Sequence, residues 1–131
     1  MTTLDPPAEL WIDLSHGRTR VRVAGPEDGR PVLLVHGMTY PLEVWDPLSR
    51  DLAQAGYRVA RYDLYGRGES DWDGEPLSMD TLSGQIIDLL EELGWSSRVP
   101  LVSLSNSDLV LLTAARASPD RFQSLSLIAP S

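Results

Sequence analysis

Two hydrophobic periods run along the chain, and the change from one to the other divides it. Glu9-Leu-Trp-Ile-Asp-Leu14 and Arg18-Thr-Arg-Val-Arg-Val23 alternate apolar with polar side chains, the period-two pattern of half-exposed strands. Ser15-His16-Gly17 supplies a tight turn between them, so the pair is predicted as an edge hairpin. Pro31 to Val35 is instead continuously apolar, as a strand covered on both faces must be. Helical spacing then takes over across residues 42–55, where Leu42, Val44, Trp45, Leu48, Leu52 and Ala53 share a face and Gly56 ends the run.

The alternation of element types continues. Tyr57 to Tyr62 predicts a strand, and the polar, glycine-rich stretch from Gly66 to Pro76 predicts a loop. Residues 80–93 place Leu82, Ile86, Leu89, Leu90 and Leu93 on one helical face, stopped by Gly94. Pro100 to Leu104 predicts a buried strand, 106–117 a buried helix, and Leu125 to Ile128 a last strand. Strands that alternate with helices imply βαβ units, hence an α/β domain with a mostly parallel sheet flanked by helices. No repeat, linker or low-complexity segment interrupts residues 1–131, which read as one domain.

Four segments carry the chemistry. Val99-Pro-Leu-Val-Ser-Leu-Ser105-Asn-Ser-Asp-Leu-Val-Leu-Leu-Thr-Ala-Ala115 runs an apolar strand into a serine and out into an apolar helix. That is the layout of a nucleophile elbow, where a sharp turn lifts a serine hydroxyl above the end of a sheet. The others are Val32-Leu-Leu-Val-His36-Gly37-Met38, Arg61-Tyr-Asp63-Leu-Tyr-Gly66-Arg67-Gly68-Glu-Ser70-Asp71, and Arg121-Phe-Gln-Ser-Leu-Ser-Leu-Ile-Ala129-Pro130. In this order and spacing they resemble the N-terminal half of an α/β-hydrolase, and the resemblance covers nearly the whole chain.

The resemblance implies that the strands ending at Val35 and Leu104 are neighbours, with their following loops facing one pocket. It makes Ser105 the nucleophile and the backbone N–H groups of Met38 and Asn106 the oxyanion donors. His36 and Gly37 shape the oxyanion loop, and the catalytic base comes late in the family's chain order of Ser, Asp or Glu, then His. Neither His36 nor His16, in the hairpin turn, is then expected to serve Ser105. Asp63 and Arg67 are expected to organise the Gly66–Ser70 loop, hydrogen-bonded or ion-paired. Trp45, Trp72 and Tyr40 are candidates to line a pocket, with the core the commoner place for aromatic residues at these spacings. The implied chemistry needs no metal and no cofactor.

The elbow departs from the family's Gly-x-Ser-x-Gly, since Ser103 and Ser107 stand at the glycine positions and Asp108 replaces a frequent third glycine. Small serines are expected to preserve the turn at modest strain. Asp108 suits the first turn of a helix, but its charge is unhelpful beside a forming oxyanion unless it points away or is neutralised.

These residues imply a serine hydrolase of the carboxylic-ester type, acting on a small-molecule acyl substrate through an acyl-enzyme at Ser105. The alternative reading is a non-catalytic binding or receptor module on the same fold, or an inactive fragment. Leu125, Leu127 and Ile128 are expected at an open apolar edge, and the helix over 109–115 is apolar on every side. The fold is therefore expected to be incomplete, lacking cap and C-terminal strands. Completion is expected from a second polypeptide, a complementary C-terminal chain that brings the acid and the histidine.

Composition narrows the partners. Eleven basic residues against 19 acidic ones give a net charge of −8, which disfavours nucleic acid and anionic membranes. With no cysteine, disulfides and thiolate metal sites are excluded. No apolar run approaches the roughly 18 residues of a spanning helix, and the first 30 residues lack a signal-peptide pattern. A cytoplasmic location is the default expectation.

Overall fold

In the computed structural model, which describes residues 6–131, strands form at Ala8–Leu14 (β1), Gly17–Ala24 (β2), Arg30–Val35 (β3), Tyr57–Tyr62 (β4), Val99–Leu104 (β5) and Phe122–Ile128 (β6). Helices form at Asp46–Gln54 (α1), Met79–Glu92 (α2) and Asp108–Ala117 (α3). Every predicted strand is present, and the last begins at Phe122 rather than Leu125. Two predicted helices open differently from expectation. Short 3-10 turns at Leu42–Trp45 and Ser105–Ser107 precede α1 and α3. The second of these follows directly from the left-handed backbone of Ser105.

The strands lie in one sheet in the order β1-β2-β4-β3-β5-β6. The pairs β3–β4, β3–β5 and β5–β6 are parallel, while β1 and β2 are added antiparallel at one side. The expected neighbours are thus in contact, with Leu33 opposite Leu101 and Val35 opposite Ser103. Every parallel strand delivers its carboxyl end to the same end of the sheet.

The continuous apolar run of β3 is explained by cover on both faces. Leu33 and Val35 face α2 and α3, packing with Ile86, Leu89, Leu90, Val110 and Leu111. Val32 and Leu34 face α1, packing with Trp45, Ala53, Leu48 and Leu52. Ser78 caps α2 by accepting the N–H of Thr81 at 3.1 Å. Cover is thin on the β6 side, where Leu127 and Ile128 are 37% and 42% exposed and Leu109 and Leu112 of α3 are 49% and 47% exposed. No described helix is long and apolar enough to cross a membrane.

At the carboxyl end of the sheet a buried ionic cluster ties the loops together. Asp63, fully buried, accepts from Arg20 Nε at 2.8 Å, from the Leu42 N–H at 2.7 Å and from the Glu69 N–H at 2.9 Å. Arg20 also donates to both carboxylate oxygens of Glu43 and lies 2.8 Å from Glu69. Burial works against the guanidinium charge, but Glu43 and Asp63 more than offset it and hold Arg20 above the usual arginine range. The expected role of Asp63 as a loop organiser agrees with this, whereas Arg67 makes hydrogen bonds but no ion pair among the described residues. The Arg67 side chain is half-buried and donates to the Gly66 carbonyl at 3.4 Å, while its backbone N–H donates to the Leu64 carbonyl at 2.9 Å and its carbonyl accepts the Ser70 N–H at 3.1 Å. Arg20 reaches Asp63 first because β2 lies beside β4, in register to Tyr62. Gln85 adds a tie from α2, accepting the Tyr65 N–H at 3.0 Å and donating to Thr19 Oγ1 at 3.0 Å.

Removing the cation from this cluster leaves Asp63 charged, dry and unpaired by any base. Arg20→Met is expected to cost about 3–5 kcal/mol in urea unfolding. Glu91→Gln, which breaks the exposed pair with Arg121 (3.6 Å), is expected to cost under about 0.5 kcal/mol. Equal effects of the two substitutions would contradict a central role for Arg20.

Candidate active site

The turn after β5 carries serines on both sides of Ser105 where glycine is usual, and the hydroxyl of one of them ties it together. Leu104 ends the strand with extended backbone, and Ser105 then adopts φ +56°, the left-handed region that costs a side-chain-bearing residue about 1–3 kcal/mol. Ser107 Oγ repays part of that cost. It accepts the Leu104 N–H at 3.2 Å and lies 3.0 Å from both the Val35 and Leu104 carbonyls, to which it donates. The hydroxyl thus joins the ends of β5 and β3. Ser103 behaves differently: its hydroxyl is fully buried with no hydrogen-bond partner among the described residues.

The loop after β3 meets this turn closely. A Cβ on Gly37 would stand 3.1 Å from the Leu104 carbonyl oxygen, 3.3 Å from the Tyr40 ring and 3.4 Å from Ser105 Cβ. The tight contact favours glycine there for reasons of space rather than backbone angle. One residue on, the Met38 N–H donates to Asn106 Oδ1 at 3.0 Å. Ser105, Asn106, Gly37 and Met38 are therefore brought together, as the family resemblance implied. Ser105 is half-buried and Asn106 exposed.

His36 is completely buried and both ring nitrogens are engaged. Its Nδ1–H donates to the Gly37 carbonyl at 2.6 Å, and Nε2 accepts the Leu64 N–H at 2.9 Å. Burial pushes its pKa down, so the ring stays neutral with the proton on Nδ1. A histidine held this way fixes the loop and has no lone pair left for Ser105. His16 lies on the same end of the sheet, but its Nδ1 is 2.7 Å from Asp73 and its ring packs against Tyr65 and Trp72. Strands β4 and β3 separate it from Ser105 in the sheet order.

Asp108 is buried and partnered. Its carboxylate accepts from the Ser131 N–H and Ser131 Oγ, each at 3.0 Å, and from the Leu109 N–H at 2.8 Å. Among the aromatic residues, Trp45 is core on the α1 face and Trp72 packs against the core cluster of the opposite face, whereas Tyr40 is 46% exposed beside Gly37 and is not core. No group of three or more histidines, cysteines or carboxylates suited to a metal ion occurs among the described residues.

Two contributors were not foreseen from sequence. Arg20 sits in an alternating run whose pattern marks it as an outward polar residue, and only the packing of the Glu43 turn and the Glu69 loop buries it. Ser107 was expected merely to be small, yet its hydroxyl makes the bond that closes the elbow.

A family model described as serine aminopeptidase, S33, matches residues 27–131. The chain belongs to this family of α/β-hydrolases. A non-heme chloroperoxidase from Streptomyces lividans is 33% identical over 97 residues, which cover 74% of this chain and 35% of that protein. The carboxylesterase nap of Bacillus subtilis strain 168, described as uncharacterized, is 25% identical over 123 residues, covering 93% and 40% respectively. The solved structure of naproxen esterase from Bacillus subtilis superposes with a TM-score of 0.88 at 24% identity, over 95% of this chain and 44% of that one. The chain thus spans less than half the length of these relatives, and its sheet is the incomplete sheet of an α/β-hydrolase. With esterases and lipases among its relatives, this α/β-hydrolase chain is hydrolase-like in sequence as well as fold.

The two serines that flank Ser105 are expected to respond in opposite directions. Ser107→Ala removes an acceptor and a donor from buried backbone groups and is expected to cost about 1–3 kcal/mol in urea unfolding. Ser103→Ala removes an unpartnered hydroxyl and is expected to be neutral or stabilising by about 1 kcal/mol. Burial of neutral His36 adds a pH signature. Its folded pKa lies below the model-peptide value of 6.5, so the unfolded state takes up the proton first. Stability from this residue is full above about pH 6.5 and falls as pH drops toward the folded pKa, by up to about 1.4 kcal/mol per pH unit. Unfolding at pH 7.5 and 5.5, compared between wild type and His36→Asn, checks this: the variant is less stable throughout but loses less on acidification.

Proposed function

We propose that this chain carries the nucleophile and oxyanion half of a serine hydrolase that cleaves carboxylic esters or related acyl bonds. The observation that carries the reading is the left-handed turn at Ser105, on the carboxyl end of β5 and packed against Gly37 and Met38. A strained serine at that point is a poor structural choice and a good chemical one. Esterases and lipases among the sequence relatives support the acyl class.

In this mechanism Ser105 Oγ attacks the acyl carbon as its proton passes to a histidine. The oxygen that gains the negative charge accepts hydrogen bonds from the Met38 and Asn106 N–H groups, which strengthen as charge develops. Collapse of the tetrahedral adduct breaks the bond to the leaving alcohol, which takes the proton back from the imidazolium. Water, activated by the same histidine, then hydrolyses the acyl-Ser105 ester and releases the acid.

The histidine and its acid are proposed to come from outside these 131 residues, on a complementary C-terminal polypeptide. The engagement of both His36 nitrogens and the tie of His16 to Asp73 support that assignment. So does the apolar surface of Leu109, Leu112, Leu127 and Ile128 beside the elbow helix and the outer strand.

A second reading, a binding module without catalysis, is favoured by one observation: the Met38 N–H is already hydrogen-bonded to Asn106 Oδ1. Hydrolysis of p-nitrophenyl butyrate separates the two. In the protein completed by its C-terminal half, Ser105→Ala is expected to lower kcat at least about 1,000-fold. Residues 1–131 alone are expected to turn over no faster than that variant. Equal rates for wild type and Ser105→Ala in the completed protein would leave the binding module as the better reading.

A further inference from the structure

We infer that Asn106 is an intramolecular competitor for substrate: its side-chain oxygen occupies the Met38 N–H in the resting site, and an acyl oxygen must displace it. The inference rests on the hydrolase reading and adds to it a residue whose side chain governs entry to the oxyanion position. Its geometry is defined by a single bond, Met38 N–H to Asn106 Oδ1 at 3.0 Å. Because the backbone group is a donor, the carboxamide must present its oxygen, not its nitrogen. That oxygen therefore marks a spot where an acceptor is favoured at the mouth of the elbow.

The chemistry of the competing oxygens sets the consequence. A carboxamide oxygen is a stronger hydrogen-bond acceptor than an ester carbonyl oxygen and a weaker one than a tetrahedral oxyanion. Asn106 therefore holds the donor against a ground-state ester and yields it once charge develops. Because Asn106 is exposed, in the 3-10 turn after Ser105, its side chain leaves into solvent. The backbone N–H of the same residue, the second proposed donor, stays where it is. One residue thus contributes a fixed donor through its backbone and a removable block through its side chain.

Removing the side chain should therefore help the reaction, where loss of a structural residue would harm it. In the completed protein with p-nitrophenyl acetate, Asn106→Ala is expected to raise kcat/KM about two- to tenfold, the net worth of one neutral hydrogen bond. In the ligand-free protein it should also move the Met38 amide-proton resonance upfield. Asn106→Asp places a charge-assisted acceptor on the same N–H and repels an oxyanion, so kcat/KM should fall below wild type with a downfield shift. A lower kcat/KM for Asn106→Ala, or a Met38 resonance it does not move, overturns the inference while Ser105-dependent turnover still upholds the hydrolase reading. A shifted resonance without Ser105-dependent turnover in any variant overturns the hydrolase reading and upholds the Asn106–Met38 contact.

Discussion

One buried carboxylate organises the end of the molecule where the chemistry is placed. Asp63 has no contact with water, and each of its bonds reaches a different segment: Arg20 on β2, the turn that opens at Leu42, and the glycine loop at Glu69. A charge in that position is tolerable only while those donors stay put, so the loops are held by the high cost of leaving Asp63 unsatisfied. His36 extends the same logic across to β3, binding the Leu64 N–H from one side and its own loop from the other. The corner of chain at Gly37 and Met38 is thus fixed from beneath before it meets Ser105.

The pattern of apolar positions gave away most of this architecture because each element has a distinct exposure demand. The unbroken run of β3 fits a doubly covered strand bounded by turns, and the elbow segment fits the abrupt passage from strand to helix of the family it resembles. The alternating run of β2 misleads at Arg20, because periodicity reports which side a residue faces and says nothing about what later folds over that side. The cation that meets Asp63 is likewise hidden in the sequence, because the strand pairing of β2 with β4 brings Arg20 to it from 43 positions away. Side-chain hydrogen bonds across such separations leave no local trace in sequence. Tyr40 illustrates the same limit, since aromatic character alone does not tell a core ring from one beside a glycine at a site.

The serines around the nucleophile show two outcomes of one substitution type. Both stand where small size is the usual requirement, yet Ser107 found backbone partners at the junction of two strands and Ser103 found none. What differs is register. Ser103 lies opposite Val35 within the ladder, where neighbouring backbone groups are already paired, whereas Ser107 lies past the strand ends, where carbonyls and N–H groups still need partners.

The position of β3 between β4 and β5 has a consequence for how the chain folds. The hairpin and the β3–β4 pair draw on nearby sequence, but the contact between Met38 and Asn106 spans 68 residues. During synthesis β3 is therefore made long before the strand that covers its second edge. Through that interval a row of free backbone groups, flanked by Val32, Leu33, Leu34 and Val35, lies open to any other strand that arrives. The arrangement that sets Ser105 beside the end of β3 also makes the growing chain vulnerable there, and only the arrival of β5 closes the gap.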